Sequence, residues 1–272
     1  MEILIKDITF GQYYDSASFI HKMDPRAKIL LLIFLIVFLF LAKNFYSLSI
    51  AFLLIIGIIA ISRVPLKTYL KNIKGILPII IFTAVINMFY GDGGKEIFSF
   101  WIISLNTGGI YKAIFMSLRI VLLIIISSVL TYTTSPNDLT DAIERLLSPL
   151  KFIGLKNAVH TLAMMMTIAL RFIPTLIEET EKIMNAQKAR GADLESGGLI
   201  ERIKALVPIL IPLLISSVMR AYQLAEAMEC RCYNGGEGRV RMKQLKYSVG
   251  DLLAVFICVL FCSLIIIFNI IF

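Results

Sequence analysis

Two arginines lie at the ends of two successive predicted helices, in similar three-residue contexts. Ala189-Arg190-Gly191 ends one charged helical pattern, and Cys230-Arg231-Cys232 ends the next. A cation in the last turn of a helix interacts favourably with the helix dipole, so each motif alone is also typical of an ordinary helix end. The second helix, from about residue 199 to 231, would be roughly 48 Å long. The two arginines therefore suit two similar, separate docking sites, where guanidinium groups can bind carboxylates and carbonyls.

Other groups that could support catalysis or metal binding are sparse. Cys230 and Cys232 could bind a soft metal only with further ligands, and the sequence offers none nearby. Glu178, Glu179 and Glu181 form the nearest carboxylate cluster, but their spacing in a charged helix is typical of a solvated face. Phosphate-cradling, dinucleotide, zinc-helix and serine-elbow motifs are missing from the sequence. We therefore expect no metal, no cofactor and no ATP hydrolysis by this chain alone.

The composition identifies a membrane protein. The 272 residues are 58% hydrophobic and 17% charged, with a mean hydropathy of +0.84, which is too apolar for a soluble domain of this size. Four cysteines are too few for a disulfide scaffold. The net charge of the chain is +8, but the polar segment from about 133 to 247 has 15 basic and 12 acidic residues, an excess of only +3. This mixed surface argues against a nucleic-acid partner. Five uncharged or nearly uncharged runs are candidate spans: Ile29–Ala42, Phe45–Ser62, Gly75–Gly91, Ala113–Asn137 and Leu252–Phe272.

Two of these spans contain or adjoin informative charges. The first is short, but Pro25 can begin its helix and the side chains of Arg26 and Lys28 can extend outward to the membrane surface. Arg119 is the only ionisable residue well inside a predicted span. Such a residue usually faces protein or water. We expect it to have a structural role, bound to an acid or to carbonyls inside the helix bundle, because one arginine cannot make an ion pathway.

Basic residues predict the orientation of the chain. They precede the first span and separate the second from the third, which predicts a cytoplasmic N-terminus and an external C-terminus. The first apolar run follows a polar stretch of about 28 residues, so we expect no cleaved signal peptide. The segment 92–109, with the lone Trp101, is expected at the outer interface rather than as a re-entrant pore loop. Four regions follow: a cytoplasmic N-terminal segment (1–28), four transmembrane helices (29–134), a cytoplasmic module (135–247) and a last transmembrane helix (248–272).

The cytoplasmic module is predicted to contain a long helical hairpin. Thr133 to Asp138 supply a helix start, and two further helical patterns run over about 155–189 and 199–233. Their apolar halves, with 14 and 15 uncharged residues, are short for crossing helices, so we place them at the inner membrane face. If they cross instead, the span count rises from five to seven. The predicted fold is all-α, a polytopic membrane protein with a module of long interfacial helices.

The hairpin also carries soft and small side chains in groups. Taken singly they are typical of core packing, but together they suit a surface that accepts more than one partner. The group comprises Met164, Met165, Met166, Met219, Ala221 and Ala225.

Seven sequence stretches together resemble one family, the transmembrane (T) component of energy-coupling factor transporters (the EcfT/CbiQ family). The resemblance covers nearly the whole chain. It is carried by Tyr13-Tyr14-Asp15-Ser16, His21 to Lys28, Ser117-Leu118-Arg119, Thr133 to Leu139, Leu170 to Leu176 with Glu178-Glu179-Thr180, Ala186 to Gly191, and Ala227 to Tyr233.

The resemblance implies a non-catalytic scaffold in the prokaryotic cell membrane. Such a scaffold binds two homologous cytoplasmic ATPases and one or more membrane-embedded substrate-binding (S) components that import vitamins or other micronutrients. The two Ala-Arg-Gly-type motifs of the family end helices that dock in the ATPases, and here they correspond to Arg190 and Arg231. Cys230 and Cys232 replace the usual Ala and Gly, so we expect Asn234 or Gly235 to be an alternative end for the second helix.

Two other functional classes remain open from the residues alone. A self-sufficient permease or channel would need polar residues along several spans, and these spans contain few. A membrane enzyme would need carboxylates, histidines or a nucleophile clustered at one depth. The sequence does not specify the substrate, nor whether one or many S components are served.

Overall fold

The computed structural model describes residues 13–16, 18–89, 96–100, 103–149, 156–192, 198–235 and 247–271. The expected position of Trp101 lies outside these residues. The elements are α1 (Phe19–Lys22), α2 (Pro25–Leu41), α3 (Phe45–Ser62), α4 (Leu66–Phe89), β1 (Glu96–Phe100), β2 (Ile103–Asn106), α5 (Thr107–Thr133), α6 (Pro136–Leu146), α7 (Lys156–Ala189), α8 (Leu199–Glu229) and α9 (Val249–Ile271).

The predicted all-α membrane architecture is confirmed. Six helices are long and apolar enough to cross a membrane: α3, α4, α5, α7, α8 and α9. Helix α2 has 17 residues, or about 26 Å at 1.5 Å per residue, slightly less than the hydrocarbon thickness. Helix α4 begins at Leu66, well before the predicted start at Gly75, because a helix continues through the basic residues that end the uncharged run. Both hairpin helices are also long enough to cross, which keeps the seven-span alternative open.

The chain divides into two compact units. The bundle unit comprises residues 11–139 and 243–272, and the hairpin unit includes residues 140–242. In the bundle unit, α2, α3, α5 and α9 pack around a buried apolar core that includes Leu39, Leu48 and Leu122. These side chains fill the space between helices whose outer faces are also apolar, which is the pattern expected of a bundle surrounded by lipid.

Helices α4 and α5 form a second, tightly packed pair in the bundle unit. The antiparallel strands β1 and β2 connect them, with Ser99 opposite Ser104. At the start of α5, a Cβ on Gly109 would collide with the carbonyl oxygen of Met88, so only glycine permits this close approach. Asn72 Nδ2 donates to Ser128 Oγ at 2.7 Å between the two helices. The strands are a small addition to the predicted helical fold.

A side chain from α9 caps the short turn between α2 and α3. Asn269 of α9 donates to the carbonyl oxygen of Leu41 at 2.7 Å and accepts from the backbone N–H of Lys43 at 3.1 Å. It also accepts from Ser47 Oγ at 2.8 Å. Backbone groups at membrane depth have no water to bind, so such caps are needed where a helix ends.

The hairpin unit is held by a narrow seam. Met184 of α7 and Ile209 of α8 are its buried apolar pair, with Ile183, Ala205 and Leu206 packed around them. Gln187 Nε2 donates to the carbonyl oxygen of Pro208 at 3.4 Å. That carbonyl lacks its usual helical donor because Pro212 has no N–H. A contact from the opposite helix thus compensates for the proline in α8.

Candidate functional site

The first arginine motif ends α7 in a well-defined cap. Gly191 has a φ of +85°, and its N–H donates to the carbonyl oxygen of Lys188 at 3.0 Å. The N–H of Ala192 donates to the carbonyl oxygen of Gln187, also at 3.0 Å. This pair of bonds defines a Schellman cap, in which glycine takes the left-handed position. Arg190 is the last residue before the reversal, and its side chain is exposed.

The second arginine motif forms the same cap at the end of α8. Cys232 has a φ of +52°, and its N–H donates to the carbonyl oxygen of Glu229 at 2.9 Å. The N–H of Tyr233 donates to the carbonyl oxygen of Met228 at 3.0 Å. Arg231 therefore occupies the position that Arg190 occupies in the first motif, and it is exposed as well.

The expectation that Asn234 or Gly235 replaces Cys232 as the helix end is wrong. A non-glycine residue in the left-handed region is disfavoured by about 1 kcal/mol, but two backbone hydrogen bonds hold Cys232 there. Cys230 and Cys232 are both free and exposed. The departure from Ala-Arg-Gly thus changes the side chains around the arginine but leaves its backbone position unchanged.

The antiparallel hairpin separates the two arginine tips. Near the end of α7, Gln187 contacts Pro208 of α8, whereas near the start of α7, Met164 accepts from Tyr233 Oη at 2.8 Å. Tyr233 follows Arg231 by two residues, so the second tip lies beside the beginning of α7. The first tip lies beside the beginning of α8. The arginines are at opposite ends of the hairpin, as their spacing in the sequence predicts.

The methionine and alanine group lies mainly on the surface of the hairpin unit. Met165, Met166 and Met219 are 58%, 41% and 57% exposed, which excludes a shared core within this unit. Ala221 and Ala225 are exposed too, whereas Met164 is half-buried against Tyr233. Five of the six residues are therefore free to contact lipid or another protein.

Glu179 is paired with a cation on the opposite helix. It forms a salt bridge with Arg220 of α8, while Glu178 is exposed and Glu181 half-buried. Glu178 and Glu179 line one pocket together with Lys182 and Arg220, whereas Glu181 does not, so the three carboxylates do not form one catalytic cluster. The pair helps to fix the register of the hairpin, in place of the solvated face expected at Glu179.

Arg119 lies in the interior of the bundle unit, near the turn between α2 and α3. Its guanidinium donates to the carbonyl oxygen of Ala42, the residue that ends α2, and lies 4.7 Å from the ring centre of Phe115. A carbonyl at the end of a helix attracts a cation. Arg119 and Asn269 together bind the last two carbonyl groups of α2, which is a structural arrangement.

The largest polar feature of the bundle unit is a buried cluster around Lys28, at the end opposite Arg119. Lys28 Nζ donates to the carbonyl oxygen of Thr133 at 2.9 Å, to Thr134 Oγ1 at 3.3 Å and to the carbonyl oxygen of His21 at 3.4 Å. The residue is only 7% exposed. The expectation that its side chain extends outward is wrong, because the unpaired carbonyl at the end of α5 attracts the ammonium group inward.

Three acids surround this lysine and connect the elements that meet there. Asp251 Oδ1 of α9 accepts from the backbone N–H of Asp24 at 3.0 Å, and Asp138 follows α5. Burial lowers the pKa of Lys28 from 10.5 to about 8, although the charges of Asp138, Asp251 and Asp24 raise it. Lys28 precedes the apolar run that begins at Ile29. Two stretches that carry the family resemblance, His21 to Lys28 and Thr133 to Leu139, therefore meet in space.

One signal of this cluster is visible in the sequence. A lysine, three acids and several hydroxyl groups lie at or near the ends of predicted spans. Their pairing depends on which span ends are neighbours, and this is a tertiary property.

Comparisons with known proteins agree with the geometry. The model of the family described as "Cobalt transport protein" (CbiQ) matches residues 16–242. A protein of Ruminiclostridium cellulolyticum is 49% identical over 269 residues, covering 99% of this chain and 100% of the relative. One from Clostridium kluyveri is 53% identical over 254 residues, with 92% and 93% covered, and one from Bacillus subtilis is 43% identical over 248 residues, with 91% and 93% covered.

Each of these three relatives is described as an energy-coupling factor transporter transmembrane protein, EcfT. The similarity extends over nearly the full length of each protein, and within the described residues six helices are long and apolar enough to span a membrane. The chain therefore belongs to the EcfT/CbiQ family, and it is a multi-pass transmembrane component of an energy-coupling factor transporter.

Proposed function

We propose that the chain transmits ATP-driven motion from two cytoplasmic ATPase subunits to a substrate-binding S component, for uptake of a vitamin or another micronutrient. Arg190 and Arg231 are the ATPase-docking residues. ATP hydrolysis occurs in the partner subunits, and the N-terminus is cytoplasmic, in accordance with the basic residues at that end of the spans.

The observation that carries the proposal is the equivalence of the two arginine tips. Both arginines are exposed, both follow the last turn of a long helix, and both are held by the same pair of backbone hydrogen bonds. Two equivalent tips at opposite ends of one hairpin complement a partner with two equivalent grooves, as a pair of homologous ATPases has. An ordinary dipole interaction requires neither the equivalence nor the exposure.

The hairpin between the tips can transmit motion because its own seam is narrow. Among the described residues, the contacts of this seam include the Met184–Ile209 contact, the Glu179–Arg220 salt bridge and the bond from Gln187 to Pro208. Displacement of the tips by closing ATPases would change the angle between α7 and α8 at modest cost. A change in that angle would move whatever is bound to the exposed methionine surface.

The exposed surface formed by Met165, Met166, Met219, Ala221 and Ala225 is the proposed docking surface of the S component. Methionine side chains adapt to differently shaped partners, and alanines allow the close approach of another helix. These properties favour a shared component that serves several S proteins.

Co-purification tests the proposal. The full tagged chain and an Arg190→Ala/Arg231→Ala double variant are purified in mild detergent from the native host, and the bound proteins are identified by mass spectrometry. We expect two ATPases with the unmodified chain and none with the double variant, because each lost guanidinium removes a forked donor. Lys182→Ala/Lys204→Ala removes the same charge from exposed positions of the same helices and should retain both ATPases. Full ATPase recovery with the arginine double variant would contradict the proposal.

A further inference from the structure

The bundle unit contains a large apolar groove that the proposed coupling does not use. Its volume is about 510 Å³, and its walls come from α1, α2, α3, α5 and α9. An apolar cavity of about 150 Å³ already holds a benzene-sized molecule. The groove is therefore large enough for a ligand several times that size.

The groove is elongated along the helix axes and open on one side. It extends along α3 from Leu53 to Ile61 and along α9 from Leu253 to Phe261, which is roughly 12 Å in each helix. The rim residues Leu53 and Leu253 are 65% and 52% exposed, whereas Cys258 on the floor is 5% exposed. Because both helices are membrane-spanning, the open side faces the bilayer or a membrane-embedded partner.

A glycine enlarges the groove. Gly57 lies in the middle of α3 on the groove wall, and a Cβ added there would have no atom within 4 Å. Glycine inside a helix is less stable than alanine. No close helix contact requires it here, in contrast to Gly109.

We propose that this groove binds one acyl chain of a membrane phospholipid. Water is a poor occupant, because a buried water needs several polar partners and only Lys28 and Thr133 interrupt the apolar lining. An empty groove would leave its walls without dispersion contacts. An acyl chain has the required length and is always present at this depth of a bilayer.

The charges at one end of the groove favour a phospholipid. Lys28 and Thr133 line that end, and their polar groups bind each other. Lys22 of α1 and Arg63, directly after α3, are exposed at the same end of these helices. They can bind the phosphate while the chain follows α3 and α9 into the bundle. The bound lipid would then fill the space between α3 and α9 and stabilise their packing.

A photoreactive phospholipid tests the proposal. The full chain is reconstituted in vesicles of phosphatidylethanolamine and phosphatidylglycerol that contain a phosphatidylglycerol with a diazirine in the middle of one acyl chain. After irradiation, adducts are mapped by mass spectrometry. We expect adducts on the floor residues Leu54 and Cys258, which the outer surface of the bundle does not present to lipid. An absence of adducts on the floor would overturn the proposal.

Matched glycine variants make the test specific. Gly57→Leu should fill the groove and reduce floor adducts to background, while adducts on the exposed face of α4 remain. Gly75→Leu makes the same change in α4, at a glycine that also has nothing within 4 Å of an added Cβ but does not line this groove, and should leave the floor adducts unchanged. Thermal unfolding confirms that each variant is folded. If Gly57→Leu does not fold, Leu53→Trp fills the groove from its exposed rim instead.

Three further outcomes would also overturn the proposal. Floor adducts that persist in a folded, filled variant would show that the label reaches them by another route. Adducts that are present in the isolated chain but absent from the chain with its co-purified partners would show that a protein occupies the groove in the complex. An equal yield from a free fatty acid with the same diazirine would contradict the role of the phosphate.

Discussion

The bundle unit and the hairpin unit are both apolar, but they bury their side chains to different degrees. In the most apolar stretch of α3 and of α5, one third of the residues are buried, compared with 6% in α7 and in α8. Helix α4 resembles the hairpin helices in this respect, since it packs mainly against α5. The bundle unit fills its interior with its own side chains. The hairpin unit leaves large side chains, such as those of Leu214 and Tyr222, exposed.

The polar contacts of the two units differ in the same way. In the bundle unit, side chains bind backbone carbonyls at helix ends: Lys28 binds Thr133, Arg119 binds Ala42 and Asn269 binds Leu41. In the hairpin unit, the Glu179–Arg220 salt bridge lies between partly exposed side chains. The bundle unit, in which the carbonyl groups at helix ends have hydrogen-bond donors, is suited to keep its shape in the membrane. The hairpin unit, with its narrow seam and exposed faces, is suited to move and to bind partners.

The largest contrast is expected from removing one charged group in each unit. Lys28→Met should lower the free energy of unfolding by about 3 kcal/mol, because it removes three hydrogen bonds of a buried cation and leaves the carbonyl oxygen of Thr133 without its donor. Glu179→Gln should cost about 1 kcal/mol or less, because that pair is partly exposed. Unfolding in mixed micelles measures both. Equal costs would contradict the distinction between the units.

The pH dependence of the free energy of unfolding tests whether Lys28 is buried in the folded bundle unit. In the folded bundle unit its pKa is lowered to about 8, whereas in the unfolded chain it stays near 10.5. The unfolded state therefore binds more protons between these values, and stability should rise as the pH increases from about 8 to 10.5. Lys28→Met should abolish this rise, measured as the difference between the two proteins at each pH. A rise of equal size in the variant would assign it to other groups.

Matched leucine truncations test the two degrees of burial. Leu122→Ala in the bundle core should cost about 2 kcal/mol, because the side chain is 1% exposed and a cavity would remain. Leu214→Ala in α8 should cost about 0.5 kcal/mol or less in the isolated chain, because it is 67% exposed. If Leu214→Ala has a large effect only when the partner proteins are present, this residue lies in a partner interface.

A small effect is expected at the two arginine tips, where the caps differ in one residue type. Cys232→Gly should stabilise the chain by about 1 kcal/mol or less, because glycine adopts the left-handed conformation without strain. Gly191→Ala should destabilise it by a similar amount for the opposite reason. Thermal unfolding measures both changes. Opposite signs would show that the two caps are equivalent, whereas a loss of stability in Cys232→Gly would show that the thiol makes a contact of its own.

Much of the fold was predictable because lipid imposes a simple rule on sequence. A crossing helix needs a long uncharged run, and Phe45–Ser62 was predicted with the bounds it has in the structure. The start of α4 was not predicted, since charged residues can continue a helix beyond the hydrocarbon region. The interpretation of Lys28 was wrong. A lysine at the start of an apolar run can extend to the membrane surface or bind inside the bundle, and the sequence is the same in both cases. The position of the end of α5 beside Lys28 decides between them.

The sequence by itself determined the membrane class, the helical hairpin and the two arginine tips. These depend on local properties: hydropathy over one span, helix-ending residues and spacing along one chain. Tertiary structure alone decided that Arg119 caps α2 and that Lys28 joins two distant stretches of the family resemblance. It also decided that Gly57 faces a groove. Each depends on which helix ends and faces become neighbours, and residues far apart in the chain do not specify such contacts by their types alone.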